Sequence, residues 1–141
     1  MSTNVTRLNR HIRAPRATVY DALLNKELVA LWKVPDGMTC QVHEFEGREG
    51  GAIRISLTYR GPAQAGKTAA HTDTYRGRFV ELVPNETIVE EDEFETADPA
   101  FQGTMRITIV LTDADGGTDL VTTHDGLPPG LRAQAAAVLP R

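Results

Sequence analysis

Apolar and polar positions alternate with a period of two along most of the chain and change to helical spacing only in short stretches. Between Thr6 and Arg13, Leu8 and Ile12 oppose Arg7, Asn9, His11 and Arg13, which predicts a half-buried first strand. Pro15 suits a first helical turn, where its missing N–H leaves no hydrogen bond unmade, and Val19, Ala22 and Leu23 follow at helical spacing. Asn25 breaks that helix before a second one that would place Leu28, Leu31 and Trp32 on one face, and Pro35-Asp36-Gly37 ends it with turn chemistry.

Beyond this point the pattern is β almost to the end. Thr39–Glu46 is a predicted strand whose apolar positions Val42 and Phe45 differ in parity, the signature of a bulge. After Gly50-Gly51, Ile53, Ile55, Leu57 and Tyr59 alternate with Arg54, Ser56 and Thr58. Thr72–Val83, Thr87–Glu95, Thr104–Thr112 and Thr118–His124 are further strands, with turns at Pro84-Asn85 and Asp115-Gly116-Gly117. Leu131–Leu139 is Ala-rich and predicts a short helix. One strand, two helices and six consecutive strands with hairpin-scale links imply an antiparallel meander of class α+β. With so few helices to cover one sheet face, a groove or cavity between sheet and helix is expected.

Composition narrows the function. The 141 residues suit one domain spanning the chain, 40% of them are hydrophobic and 24% charged, and the net charge is −4. That balance gives no general electrostatic reason to expect nucleic-acid binding. Cys40 is the only cysteine, so no intrachain disulfide can form. No run is long and apolar enough for a membrane-spanning helix, and the polar Met1-Ser2-Thr3-Asn4 start does not read as a secretory signal, so a cytoplasmic location is the expectation.

Several segments carry candidate chemistry. Gly61–Thr68 fits the two-glycine, Lys-Thr phosphate-loop pattern, but the following residues lack a helical stripe and run into a strand, so nucleotide binding is rejected. His71, Asp73, Tyr75, Gly77 and Phe79 share strand parity, so a histidine, a carboxylate and a phenol project to one face. With His43, His124 or Asp125 they offer an acid/base or metal cluster, although no Cys/His spacing supports zinc and a polar pocket lining is the commoner use. In Glu90-Glu91-Asp92-Glu93 one parity must face the interior if the strand is central, and such a carboxylate needs a donor; Arg10, Arg54, Arg76 and Arg78 are candidates, in a structural ion-pair network before a catalytic one. Trp32, Met38, Tyr59, Phe79, Phe94 and Met105 supply bulky apolar side chains, and Trp32 and Met38 flank a turn suited to a pocket mouth.

Five segments together carry a resemblance: Ala14–Tyr20, Trp32–Met38, Gly50-Gly51, Tyr75–Phe79 and Thr123–Gly130. They resemble the START-like, helix-grip superfamily (SRPBCC), and within it bacterial proteins named after the C-terminal domain of the activator of the heat-shock protein 90 ATPase. The resemblance covers about residues 5–130. It implies a curved seven-stranded antiparallel sheet gripping a C-terminal helix, with a hydrophobic cavity between them. Members bind lipids, sterols, polyketides or other apolar molecules, and some are cyclases, dehydratases or hydrolases. No universal catalytic residue carries over, and a fold alone does not confer co-chaperone activity.

One departure is clear. Leu131–Arg141 is shorter than the gripping helix such a fold uses, and Pro140 would stop it. The expectation is therefore a truncated C-terminal helix. The resulting reading is a domain that binds a small apolar molecule, more a binding protein than an enzyme. Trp32, Met38, Tyr59, Phe79 and Met105 would form its apolar wall, and His71, Asp73, Tyr75 and Glu91 would orient the ligand. It needs no cofactor and no metal. The alternatives are a cyclase- or hydrolase-like enzyme with a strand-borne His, Asp or Glu, and a protein-interaction module, either co-chaperone-like or a homodimer covering the open cavity.

Overall fold

The computed structural model describes residues 5–32, 37–59 and 72–126. The predicted helix at Leu131–Leu139, the phosphate-loop-like segment and His71 lie outside these residues, as do the side chains of Leu31, Trp32 and Tyr59.

The element order is β1 (Thr6–Ile12), α1 (Arg16–Leu23), α2 (Lys26–Trp32), β2 (Met38–Phe45), β3 (Ala52–Tyr59), β4 (Thr72–Val83), β5 (Thr87–Phe94), a single 3₁₀ turn (Pro99–Phe101), β6 (Met105–Ala114) and β7 (Gly117–Asp125). The strands form one antiparallel sheet in the order β1-β7-β6-β5-β4-β3-β2. Strands two to seven are a simple meander, and the first strand closes the far edge by pairing with the last.

Local chemistry explains the boundaries. Asp115 and Gly116 both adopt positive φ (47° and 75°), which joins β6 and β7 in a tight turn with the twist that hairpins favour. Asn25 starts α2: its Oδ1 accepts from the N–H groups of Glu27 (2.8 Å) and Leu28 (3.2 Å). The expected bulge falls between Val42 and Glu44 of β2. Among the α2 residues whose side chains are described, Val29 is buried, at 0% exposure, while Leu28 is 39% exposed. Leu28 is therefore not inward, as the predicted Leu28, Leu31 and Trp32 face would have it; Val29 is, where α2 packs on β2, and the side chains of Leu31 and Trp32 lie outside the described residues.

The inner face of the sheet is read from register and burial. It carries Phe45, Ile53, Ile55, Leu57, Tyr75, Phe79, Ile88, Phe94, Met105, Ile107, Ile109, Leu111 and Leu120, all buried in one cluster with Val19, Leu23 and Val29 of the helices. Phe45 and Phe79 meet edge to face with ring centroids 5.4 Å apart, and Tyr75 and Phe94 do the same at 6.4 Å. The outer face is a ladder of opposite charges. Arg54 pairs with Glu95 (2.9 Å), Arg76 with Glu93 (2.9 Å), and Glu91 with both Arg106 (3.1 Å) and Arg78 (3.7 Å). Three of the four arginines the sequence offered, Arg54, Arg76 and Arg78, do form ion pairs, but with outward carboxylates and not with the inward ones for which they were expected, and Arg10 is in none of the described pairs.

Candidate functional site

α1 is held over the β1–β7–β6 end of the sheet by contacts at its entry. Thr118 Oγ1, fully buried on β7, donates to the carbonyl of Ala14 at 2.7 Å. Arg16 donates through Nε to Asp113 Oδ1 (2.9 Å) and through Nη1 to the carbonyl of Asn85 (3.1 Å), fixing the helix start to the end of β6 and to the β4–β5 turn. Between α1 and the sheet these contacts leave a cleft of about 330 Å³. That is the lower end of the roughly 300–1,000 Å³ typical of small-molecule pockets.

The cleft is lined almost wholly by apolar groups. Val19, Ala22 and Leu23 form the helix wall, Leu8 and Ile12 the edge-strand wall, and Ile109 and Leu120 the floor. Arg10, Thr18 and Thr122 are its polar side chains. Arg10 stands between Leu8 and Ile12 on the inward parity of β1, facing Leu120 in register, and is half-buried. Among the described residues it has neither an ion-pair nor a hydrogen-bond partner, whereas Arg16, Arg48, Arg54, Arg76, Arg78 and Arg106 each pair with a carboxylate.

A second feature adjoins the cleft on the same face. His124 lies two residues beyond Thr122 on β7, about 6.6–6.8 Å along the strand. It faces Ile107, which in turn faces Glu90 of β5, so the imidazole and the carboxyl share one row across three strands. Asp92, two residues on, faces Gly77 of β4. Asp73 faces Leu57 further along the face. His124, Glu90, Asp92 and Asp73 are all buried, at 3%, 3%, 1% and 1% exposure. Each makes polar or electrostatic contacts of its own.

The structure brings together five of the sequence-predicted site residues on this inner face: Met38, Asp73, Tyr75, Phe79 and Met105, all buried. None of the five lines the α1 cleft; they occupy the β2–β6 part of the sheet. Trp32 ends α2 and Tyr59 ends β3, and their side chains, like His71 as a whole, fall outside the described residues. Glu91 requires correction. It points outward into the Arg78 and Arg106 pairs, and its neighbours Glu90 and Asp92 are the inward carboxylates. The parity was set by Ile88 and Phe94, apolar residues of even number flanking the acidic run. Arg10 was legible by the same rule, since it shares parity with Leu8 and Ile12.

The paired N–H donors of Arg54 hold the Glu95 carboxyl below the usual range, against a smaller opposing effect of burial. Burial pushes the Tyr20 phenol up, with Glu49 and Asp21 adding to it. On the outer face His43 Nε2, Ser56 Oγ and Thr74 Oγ1 form a chain of two 2.7 Å hydrogen bonds, a side-chain brace across β2, β3 and β4. Among the described residues, no group of three or more His, Cys, Asp or Glu side chains is placed to hold a metal, and no helix is long and apolar enough to cross a membrane.

A seven-stranded antiparallel meander, completed by its first strand and carrying two short helices, one of them over an apolar cleft, defines the helix-grip class of fold. The chain belongs to the Activator of Hsp90 ATPase homolog 1-like protein family, whose model matches residues 13–139. It is similar to a crystal structure from Chromobacterium violaceum, with 31% identity over 96% of this chain and 88% of that one and a TM-score of 0.79. A Rhodobacter sphaeroides crystal structure shares 25% identity over 96% and 81% of the two chains, with a TM-score of 0.73. A protein in the dynemicin biosynthetic locus shares the fold at 16% identity and a TM-score of 0.62, covering 96% of this chain and 44% of that one. No curated protein matches the chain.

Proposed function

We propose that the protein binds a small, largely apolar molecule in the cleft between α1 and the β1–β7–β6 end of the sheet. The cleft itself carries this reading. It is a concavity of about 330 Å³ with nearly all-apolar walls and a few convergent polar groups, the composition that distinguishes ligand sites from packing defects. Thr122 would offer a hydroxyl to the ligand at the floor. The occurrence of the fold in a dynemicin-locus protein agrees with a small-molecule role.

The test uses a neutral probe, N-phenyl-1-naphthylamine, whose fluorescence rises in an apolar site. Saturable binding is expected for the whole protein, and Ala22→Trp, which fills the cleft from the helix side, should abolish it without lowering the melting temperature by more than a few degrees. Probe binding that persists in Ala22→Trp would remove the cleft from consideration. Native mass spectrometry of protein purified without detergent would then identify what the cell supplies.

A second reading, acid/base catalysis on a bound molecule, is favoured by the shared row of His124 and Glu90 beside the cleft. For this reading, Glu90→Gln should lose turnover on any substrate found while retaining its binding. Turnover equal to wild type would eliminate Glu90.

A further inference from the structure

We infer that the molecule taken by the cleft is an amphiphilic anion, a carboxylate or sulfonate on a compact apolar body, with its charged group held by Arg10. The inference rests on the ligand-binding reading above and adds the chemical class of the ligand. Its basis is the position of one residue. Leu8, Arg10 and Ile12 of β1 line the cleft, and the middle one of the three is an arginine.

An arginine facing apolar walls is unfavourable unless an anion meets it, because removing part of its hydration is compensated only by charge-assisted hydrogen bonds. The protein supplies that anion elsewhere: six other arginines have carboxylate partners. Arg10 has none among the described residues: Leu120, which faces it in register, and Val19, Ala22 and Leu23 of α1 offer no acceptor side chain, and the other polar side chains of the cleft, Thr18 and Thr122, carry only neutral hydroxyls. The buried carboxylates Glu90 and Asp92 lie on β5, with β6 and β7 intervening before β1. A ligand anion at Arg10 is therefore separated from them by two strands, about 9.4–9.8 Å of sheet beyond the adjacent spacing. The planar five-donor guanidinium matches a carboxylate or sulfonate in two-point geometry, which a lysine at this position would not reproduce.

The experiment compares two probes with the same aromatic body. 8-Anilino-1-naphthalenesulfonate carries an anion, and N-phenyl-1-naphthylamine does not. Dissociation constants of both are measured by fluorescence for wild type, Arg10→Gln and Arg10→Lys, with circular dichroism and melting curves as folding controls. The ratio of sulfonate to neutral-probe affinity should fall at least about tenfold in Arg10→Gln, the effect of losing a charge-assisted contact. Arg10→Lys should recover only part of it. An unchanged ratio in a folded Arg10→Gln protein overturns the inference, whether both affinities fall together or neither does. That failure is distinct from failure of the cleft reading, which would appear as probe binding insensitive to Ala22→Trp.

Discussion

Gly77 of β4 lies opposite Asp92 of β5, and the missing side chain at 77 is what gives the Asp92 carboxyl its place on the inner face. A methyl group built on Gly77 would overlap Asp92 Oδ1 and the carbonyl of Glu91. The glycine is required here by close approach to the neighbouring strand; its backbone angles are ones that any residue adopts.

Gly77→Ala should therefore destabilise the protein by about 1–3 kcal/mol, as overpacking of a closed interior does. Urea unfolding monitored by circular dichroism measures it. Stability equal to wild type would mean that β4 and β5 separate more readily than the register implies.

The junction of β1 and α1 depends on Thr118. Thr118→Val keeps the shape and removes the hydroxyl that meets the Ala14 carbonyl, which should cost about 1–2 kcal/mol. The helix wall of the cleft would lose one of its anchors, so neutral-probe affinity should fall along with stability.

Ile109 is buried at the cleft floor. Ile109→Ala should cost about 2–5 kcal/mol in unfolding free energy. The cavity it enlarges opens toward the cleft, so bulkier probes should gain affinity relative to wild type, a change that isothermal titration would detect.

The Arg54–Glu95 pair predicts a pH dependence. The Glu95 carboxyl titrates below its ordinary 4.5 in the folded protein, so the pair's contribution is present above that pH and is lost as pH falls through the lower folded value. Both side chains are partly exposed, and the effect should be no more than about 1 kcal/mol. Glu95→Gln should lower stability at neutral pH and flatten the acid limb of stability below pH 4.5, measured by urea midpoints across pH 2–6. An acid limb as steep as that of wild type would contradict the assignment.

Strand limits were legible to within about two residues because alternation is a local signal, as at the predicted Thr87–Glu95, observed as Thr87–Phe94. So was the common face of Asp73, Tyr75, Gly77 and Phe79, which follows from parity alone. What remained hidden depends on partners distant in sequence. The α1 residues Val19, Ala22 and Leu23 announce an apolar face, but nothing local states that β1 will pair with β7 and complete a cleft beneath it. The acidic run at Glu90–Glu93 misled for a different reason. Four consecutive carboxylates contain no alternation, and the inward pair is identified only by apolar residues outside the run. In α2, both Leu28 and Val29 are apolar, and docking on β2 selects the second.

β1 occupies an edge of the sheet and is hydrogen-bonded along one side, to β7, among the described residues. It supplies the cleft with Leu8, Arg10 and Ile12. Edge strands open at lower free-energy cost than central ones, since a single ladder must separate. The wall a ligand would touch is thus also the wall that can yield without disturbing the meander of β2 to β7. Occupancy of the cleft would be written in the exchange rates of a few amides on β7 and β1, and admission of a ligand would be a matter of fraying one margin of the sheet, with the rest of the molecule standing still.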